Sequence, residues 1–468
     1  MDSLSSNSSV ELSCKGCGRN FPVIRGIPIL TLRPRELLMV HLLEFKHALA
    51  ALEEKRAAAA TTGGSTVPGI AERTRRMLHG MTLNFGLIES FSKPIEDCLS
   101  SNQDQPSNLI DWALAQNAGS APQTMLPFFY QDWARTRDFE DAESLILGAL
   151  MDYSPDKQTA AVLGAGACGI VYASAKYFGV VYGLDLSVPT LLIAQGVLSG
   201  NPIEISVAHA GWRPVQLAPP APAKNEIRLL AADVGMLPFA AGSLSAVVTQ
   251  YMMDITGDPL GVAAEIQRVL KPEGIWVNFS NPFKLPGDPP ELGLPEPSEL
   301  PGLFGPLGLD MIKVQRTRFT LQNLDQIYPG GHRNAQEVHF FIARKVAPPK
   351  DVAAPRRFHL WNHGDIDSWW QRVPAIIPGR EIQIIRKRVF RPRSTEDRVE
   401  IGMNSVSFSV STEHTAFVEA LFGQIDGTHT LRDILNGLAS QGIPLSEMEF
   451  RELIHSLLNQ YCVISLDH

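Results

Sequence analysis

The stretch AAVLGAGACGIVYASAKYFGVVYGLDLS, residues 160–187, runs from apolar residues through a glycine turn and a helical stretch to a second apolar run that ends on an acid. Gly164 and Gly166 follow the first run directly and open the helix. Without a Cβ they let the backbone approach a ligand closely and aim N–H groups at it. Asp185 comes roughly twenty residues later, where a strand-end carboxylate can take both ribose hydroxyls of an adenosine. Nicotinamide cofactors, flavins and S-adenosylmethionine all use turns of this kind, and the turn with Asp185 leaves NAD and S-adenosylmethionine open. Cys168 sits in the turn with no His or acid beside it in sequence to activate it. It is expected to be a small packing residue rather than a nucleophile.

Positioning such a turn requires buried strands with helices between them. Strands are expected at Ala160–Gly164, Val180–Leu184, Ile227–Ala232, Ser245–Gln250 and Gly274–Phe279, with helical patterns such as PLGVAAEIQRVL separating most of them. Alternation of this sort predicts an α/β fold with a doubly wound, Rossmann-like parallel sheet. An amphipathic helix ending near Tyr153 leads into it. Upstream, RELLMVHLLEFKHALAALEEKR and a second helical region from about Ala71 to Leu99 predict a helical cap over residues 35–125. RPVQLAPPAPAKNE and KLPGDPPELGLPEPSELPG are rich in proline and read as surface loops. VAPPKDVAAPRR, near Val346, reads as a linker, opening a linker and strand region over 347–398. The final block, 399–468, has short alternating strands followed by helices.

Past the second strand, AADVGMLPFAAGSLSAVVTQYMMD places Asp233 at the end of the third strand with an LPF turn behind it. This resembles the adenine-binding acidic motif of class I methyltransferases, in which the aspartate accepts from the adenine amino group. AAEIQRVLKPEGIWVNFS is similar to the RVLKPGG turn that leads those enzymes into their fifth strand. The third glycine usual in that family aligns with Cys168, with Gly169 one residue late. A sulfonium cofactor carries no pyrophosphate and tolerates more side chain there.

Within that superfamily, residues 126–346 most resemble the carnosine N-methyltransferase family. The stretches that carry the likeness are QDWARTRDFEDA, the glycine-turn run, YMMDITGDPLGVAAEIQRVLKPEGIWVNFSNP and EVHFFIARK. The resemblance implies S-adenosylmethionine held by Gly164, Ala165, Gly166, Asp185, Leu186, Asp233, Val234 and Gln250, with Asp254 facing the methyl acceptor. A neutral imidazole keeps a lone pair at pH 7, and a carboxylate holding its other ring N–H would aim that lone pair at the methyl carbon. Asp258 is better placed than Asp254 to cap the helix after ITGDP. The family's substrate histidine falls near Leu285 here, so an imidazole or amine other than carnosine is expected, with Asn278 and Asn281 as polar groups able to contribute. The other readings of this core are a carbon or oxygen methyltransferase of quinone or polyketide type, and a non-catalytic scaffold.

The termini carry their own resemblances. ELSCKGCGRNFPVIRGIPIL, within residues 1–34, looks like the second half of the zinc-ribbon head that precedes many bacterial methyltransferases. Cys14 and Cys17 supply two of the four ligands that structural zinc usually takes, so a metal-free remnant is expected, with a zinc completed by distant or intermolecular ligands as the alternative. His332, His339 and His359 lack ligand spacing on a common element. HTAFVEALFGQIDGTHTLRDILNGLASQGIPLSEMEFRELIHSLLNQYCVISL resembles the PqqD-like winged helix, a family that implies binding of a leader peptide by strand addition.

Composition bounds the rest. The 468 residues suffice for several domains, 44% are hydrophobic and 19% charged, and the net charge is −8. An acidic chain without Lys/Arg clusters gives no reason to expect nucleic acid. Neither a signal peptide nor a long uncharged apolar run is seen, and five scattered cysteines make no disulfide framework. A cytoplasmic protein acting away from membranes, with a small-molecule or peptide acceptor, is expected.

Overall fold

The computed structural model describes residues 10–14, 20–31, 34–62, 67–100, 122–200, 202–207, 210–256, 258–285, 294–320, 335–347, 369–376, 382–391, 394–403, 406–410, 415–443, 445–455, 457 and 464–466. In chain order the elements are β1 (Val10–Ser13), β2 (Asn20–Ile24), β3 (Ile27–Leu30), α1 (Pro34–Thr62), α2 (Pro68–Ser100), α3 (Pro122–Trp133), α4 (Arg137–Tyr153), β4 (Thr159–Leu163), α5 (Gly169–Ser174), β5 (Val180–Asp185) and α6 (Val188–Leu198). They continue as β6 (Ile203–Ser206), β7 (Pro214–Leu217), β8 (Glu226–Ala232), β9 (Leu244–Gln250), α7 (Pro259–Val269), β10 (Leu270–Ser280), α8 (Leu300–Phe304), β11 (Leu309–Thr320) and β12 (Ala335–Lys345). The remainder is β13 (Pro374–Ile376), β14 (Ile382–Arg391), β15 (Ser394–Met403), β16 (Val406–Val410), α9 (Thr415–Phe422), α10 (Leu431–Ser440), α11 (Glu447–His455) and β17 (Ile464–Leu466).

A ten-stranded sheet dominates, in the order β1-β2-β3-β8-β5-β4-β9-β10-β12-β11. Its centre is parallel from β3 to β10, whereas β12 and β11 close one edge antiparallel. From β4 the chain proceeds outward to β5 and β8, then crosses back to β9 and β10 on the other side. The order therefore reverses beside β4, and the crevice at the carboxyl ends of β4 and β9 is where open sheets of this kind bind ligands.

The doubly wound sheet expected from strand–helix alternation is the one observed. Both faces of the parallel strands are covered, which is why β4 and β9 read as near-continuous apolar runs rather than alternating ones. One face packs Ala160, Val162, Val181 and Val248 against Leu38 and Phe45 of α1, Ile88 of α2, Phe129 of α3 and Ile146 of α4. The other packs Leu163, Val247, Trp276 and Phe341 against Ile266 of α7 and Phe304 of α8. A separate core joins Trp369 and Trp370, from the region expected as linker and strands, to Leu431, Ile434 and Phe450 of the final block, with Ile382 and Ile384 of β14 packed against it.

Three local readings change. Residues 214–217, expected as part of a proline-rich loop, form β7 and pair with β6, because Ile205 and Leu217 bury one side of that hairpin. β11, which has no counterpart among the expected strands, is drawn into the sheet by its long pairing with β12. The amino-terminal stretch also joins the main sheet, since β3 runs parallel to the end of β8 with Ile29 opposite Ala231 and Leu30 opposite Ala232.

The turn after β8 is fastened from below. Glu265 Oε2 accepts from Leu237 N at 3.1 Å, and Arg268 donates to Glu265 and to the carbonyls of Leu237 (2.9 Å) and Phe239 (2.8 Å). Glu265 is buried, so removing its guanidinium leaves an uncompensated charge. Arg268→Met should lower unfolding free energy by about 2 kcal/mol in urea titrations at neutral pH. A loss of less than about 0.5 kcal/mol would show that the pair holds nothing.

Candidate functional site

β4 ends on buried Leu163 and the chain turns at once. Gly164 has φ +67° and Gly166 φ +49°, a left-handed conformation that side chains resist. A Cβ on Gly164 would lie 2.9 Å from Cβ of Met252, so the turn passes directly under the loop that follows β9. Over Gly166 the nearest atom to such a Cβ is 3.9 Å away, which leaves the ligand side of the turn open. Ala165 N donates to Leu184 O at 2.8 Å and ties the turn to β5.

Asp185 closes the arrangement. Its Oδ2 accepts from Gly166 N and its Oδ1 from Ser187 N, both at 2.9 Å. Burial pushes its carboxyl above the usual range, while those N–H donors and the nearby His41 draw it part of the way back. Carboxylate oxygens accept more than one hydrogen bond, so the acid can brace the turn and still meet a ribose. Ser187 caps α6 and Leu186 follows the acid directly.

The late third glycine has a steric cause. A Cβ on Gly169 would come within 2.7 Å of Asp132 Oδ2 and of the Phe139 ring, so this position must be bare. Cys168 takes a left-handed φ of 67°, is fully buried, and has its thiol pushed well up by burial, which fits the packing role. α3 grips the turn twice, with Asp132 Oδ2 accepting from Gly169 N at 3.1 Å and Trp133 Nε1 donating to Ala167 O at 2.8 Å. Asp132 and Trp133 were missed as site residues. Their signal was present in QDWARTRDFEDA, a stretch whose likeness to a family gave no role to either.

Asp233 stands exposed at the end of β8, its Oδ1 accepting from Gly235 N at 2.8 Å, with Val234 half-buried beside it. Gln250 ends β9. Tyr251 follows with φ 46°, its N–H donating to Phe279 O at 2.9 Å and its ring meeting that of Phe279 edge-on at 5.4 Å. Burial, then Asp138, Asp132 and Asp254, raise the Tyr251 phenol far above its ordinary value. Met252 N and Met253 N lean on Ser280 Oγ, at 3.3 and 3.4 Å. That hold presents Asp254, whose Oδ2 accepts from Asn281 Nδ2 at 2.7 Å. Burial pushes the Asp254 carboxyl up, opposed by the Asn281 amide. Asp258 caps α7 by accepting from Gly261 N, as its position predicts, which leaves Asp254 outside that cap.

The expected set thus divides. Gly164, Ala165, Gly166, Asp185 and Leu186 form one connected cluster, Asp233 with Val234 ends the next strand but one from β4, and Gln250 and Asp254 flank Tyr251 across the turn. Asn278 does not belong, because it is fully buried and bonded to Thr249 Oγ1 and His339 O within the sheet. Cys14 follows β1, whereas Cys17, His332 and His359 lie outside the described residues. His339 is buried in β12. Among the described residues no group of three or more His, Cys, Asp and Glu could hold a metal ion.

Acidic side chains bear on the nucleotides left open by the sequence: Asp132 and Asp185 stand near Cys168 of the turn, and Asp132, Asp138 and Asp254 near Tyr251, a setting that suits a sulfonium better than a pyrophosphate. The residues present therefore fit S-adenosylmethionine, with Asp185 and Asp233 for its adenosine and the open turn at Gly166 for close approach.

Asp132 lends itself to measurement. Burial, opposed by the Gly169 N–H and reinforced by Glu143, raises its carboxyl to about 7. Its folded value lies above the unfolded one, so the folded chain holds the extra proton between them and stability falls as pH rises through that interval. Asp132→Asn keeps an acceptor for Gly169 N without the charge. Its melting temperature relative to wild type should increase by about 3 °C or more between pH 5 and pH 8, and an equal offset at both would refute this placement.

Residues 162–278 match the family described as a methyltransferase domain. Among solved structures the chain is similar to a methyltransferase from Methanosarcina mazei (16% identity, 42% of this chain and 96% of that one, TM-score 0.30). It is also similar to one from Aquifex aeolicus (12%, 47% and 97%, TM-score 0.30) and to the YcgJ protein of Bacillus subtilis (14%, 44% and 99%, TM-score 0.31). No curated protein matches the chain. The chain carries a class I methyltransferase domain, and the protein is an enzyme that uses S-adenosylmethionine.

Proposed function

We propose that this enzyme methylates a nitrogen of an imidazole or an amine. The observation that carries the reading is a pair of acceptors without donors: Asp254 Oδ1 and Asn281 Oδ1 are both buried and have no hydrogen-bond partner among the described residues. Buried acceptors left in this state cost stability, and a substrate N–H supplies what they lack. A phenol or carbon acid brings fewer such donors.

Bound above Gly166, S-adenosylmethionine supplies an electrophilic methyl group on a sulfonium sulfur. The chain's own residues do the rest. Asp254 holds one N–H of the acceptor and so fixes the direction of the nitrogen lone pair, while Asn281 holds the carboxylate in place. Tyr251, half-buried and packed edge-on against Phe279, supplies an aromatic wall near Asp254. The surrounding acids favour the positive charge that appears on nitrogen as the C–N bond forms and the C–S bond breaks. Ile255, 77% exposed on the same turn, offers an apolar lip for the body of the acceptor.

The acceptor is a small molecule or a peptide. The peptide form is supported by the C-terminal resemblance, which implies a leader peptide. No described helix is long and apolar enough to cross a membrane.

The test is transfer of labelled methyl groups from S-adenosylmethionine to small imidazoles, amines, histidine-containing peptides and catechols, with the labelled atom identified in the product. Label on nitrogen is expected, and label confined to oxygen or carbon defeats the reading. Asp254→Ala should slow transfer about 100-fold or more while leaving S-adenosylhomocysteine affinity within about twofold. Because burial raises the Asp254 carboxyl and its charged form accepts the N–H, activity should fall as pH drops through a carboxyl pKa above the usual range. In Asp254→Asn that limb should vanish, leaving only the limb set by protonation of the acceptor nitrogen itself.

A further inference from the structure

α1 buries an apolar stripe that includes Leu38 and Phe45 against the sheet, and His41 stands within that stripe with no solvent exposure. A histidine in such a place needs a partner. It has one in the cofactor crevice, since its Nε2 lies 3.1 Å from the carbonyl of Leu186, the residue directly after Asp185. A carbonyl only accepts, so Nε2 carries the hydrogen and donates. The same imidazole is close enough to Asp185 to pull its carboxyl down.

The stretch before α1 approaches the crevice from the same side. β3 pairs with β8 up to Ala232, one residue short of Asp233. The turn between β2 and β3 is fastened to α6 by Gln195 Nε2, which donates to Arg25 O at 2.6 Å. The ends of both acid-bearing strands are thus held by residues that precede the sheet's first core strand, β4.

We propose that His41 is a positioning residue of the cofactor site, and that the amino-terminal segment carrying it completes the adenosine half of that site. By donating to Leu186 O it sets the backbone that leaves β5, and with it the angle at which Asp185 faces both the Gly166 turn and the ribose. This rests on S-adenosylmethionine being the cofactor of the crevice.

The experiment uses the full chain and S-adenosylhomocysteine as probe. His41→Leu keeps the bulk and removes the donor, and should weaken binding by about tenfold in calorimetry. His41→Gln returns an N–H to nearly the same point and should restore the constant to within about twofold of wild type. A packing role alone predicts the reverse order, because leucine suits the apolar stripe better than glutamine. Should His41→Leu fail to fold, wild type decides: its His41 ring signal, assigned by its loss in His41→Gln, must shift on addition of S-adenosylhomocysteine. Binding to wild type with an unmoved His41 signal, or with an unchanged constant in His41→Leu, overturns this inference alone. No binding to wild type overturns the cofactor with it.

Discussion

The Asp185 carboxylate, with one oxygen on Gly166 N and the other on Ser187 N, is the contact on which the rest of this site depends. It joins the turn after β4 to the turn after β5, and those turns form the floor of the crevice. Hydrogen bonds to an ionised carboxylate contribute about 1.5–3 kcal/mol each, enough to offset burial of a single charge only where several converge. Here they converge because parallel pairing places Leu163 beside Leu184, so the glycine turn and the acid emerge side by side. The positive φ at Gly164 and Gly166 then becomes a requirement, since any other backbone path would carry Gly166 N away from the carboxylate.

Around that contact the protein gathers acidic side chains. Asp132 meets the start of α5, Asp254 stands on the loop after β9, and both influence Tyr251 between them. Arg268 is occupied on Glu265 and on the loop behind Asp233. A crevice lined with acids suits a cofactor that arrives as a sulfonium. The sheet supplies the geometry, and the acids supply the chemistry of the crevice.

The other device is enclosure from the amino-terminal side. A bare edge at β8 would expose unpaired backbone groups beside Asp233, and β3 covers it. α1 and α3 then reach over the same face to Leu186 and to the glycine turn. Residues before β4 are therefore part of the site as well as of the packing. These segments have their chemistry in two positions, His41 within the expected cap and Asp132 just after it, that helical periodicity treats as interruptions.

Much of this was legible in the chain. Apolar runs, turn glycines and helix caps act over a few residues, so strand–helix alternation, the cap at Asp258 and the end of β5 at Asp185 can be read in order along the sequence. The late glycine at 169 and the cysteine at 168 were visible as departures, but their cause was not, because it lies in Asp132 and Phe139, which belong to other helices. Asn278 and Asn281 looked equivalent, and only the sheet separated them, turning one into the β9–β12 network and the other toward Asp254. Sequence alone determined the class of fold, the glycine turn and its acids, since these follow from local backbone preference and hydrophobic period. Tertiary structure decided which polar groups share the crevice, how Tyr251 comes to stand among aspartates and why a helix histidine reaches Leu186. Those are contacts between segments far apart along the chain, and their strength comes from burial and direction that no single segment possesses.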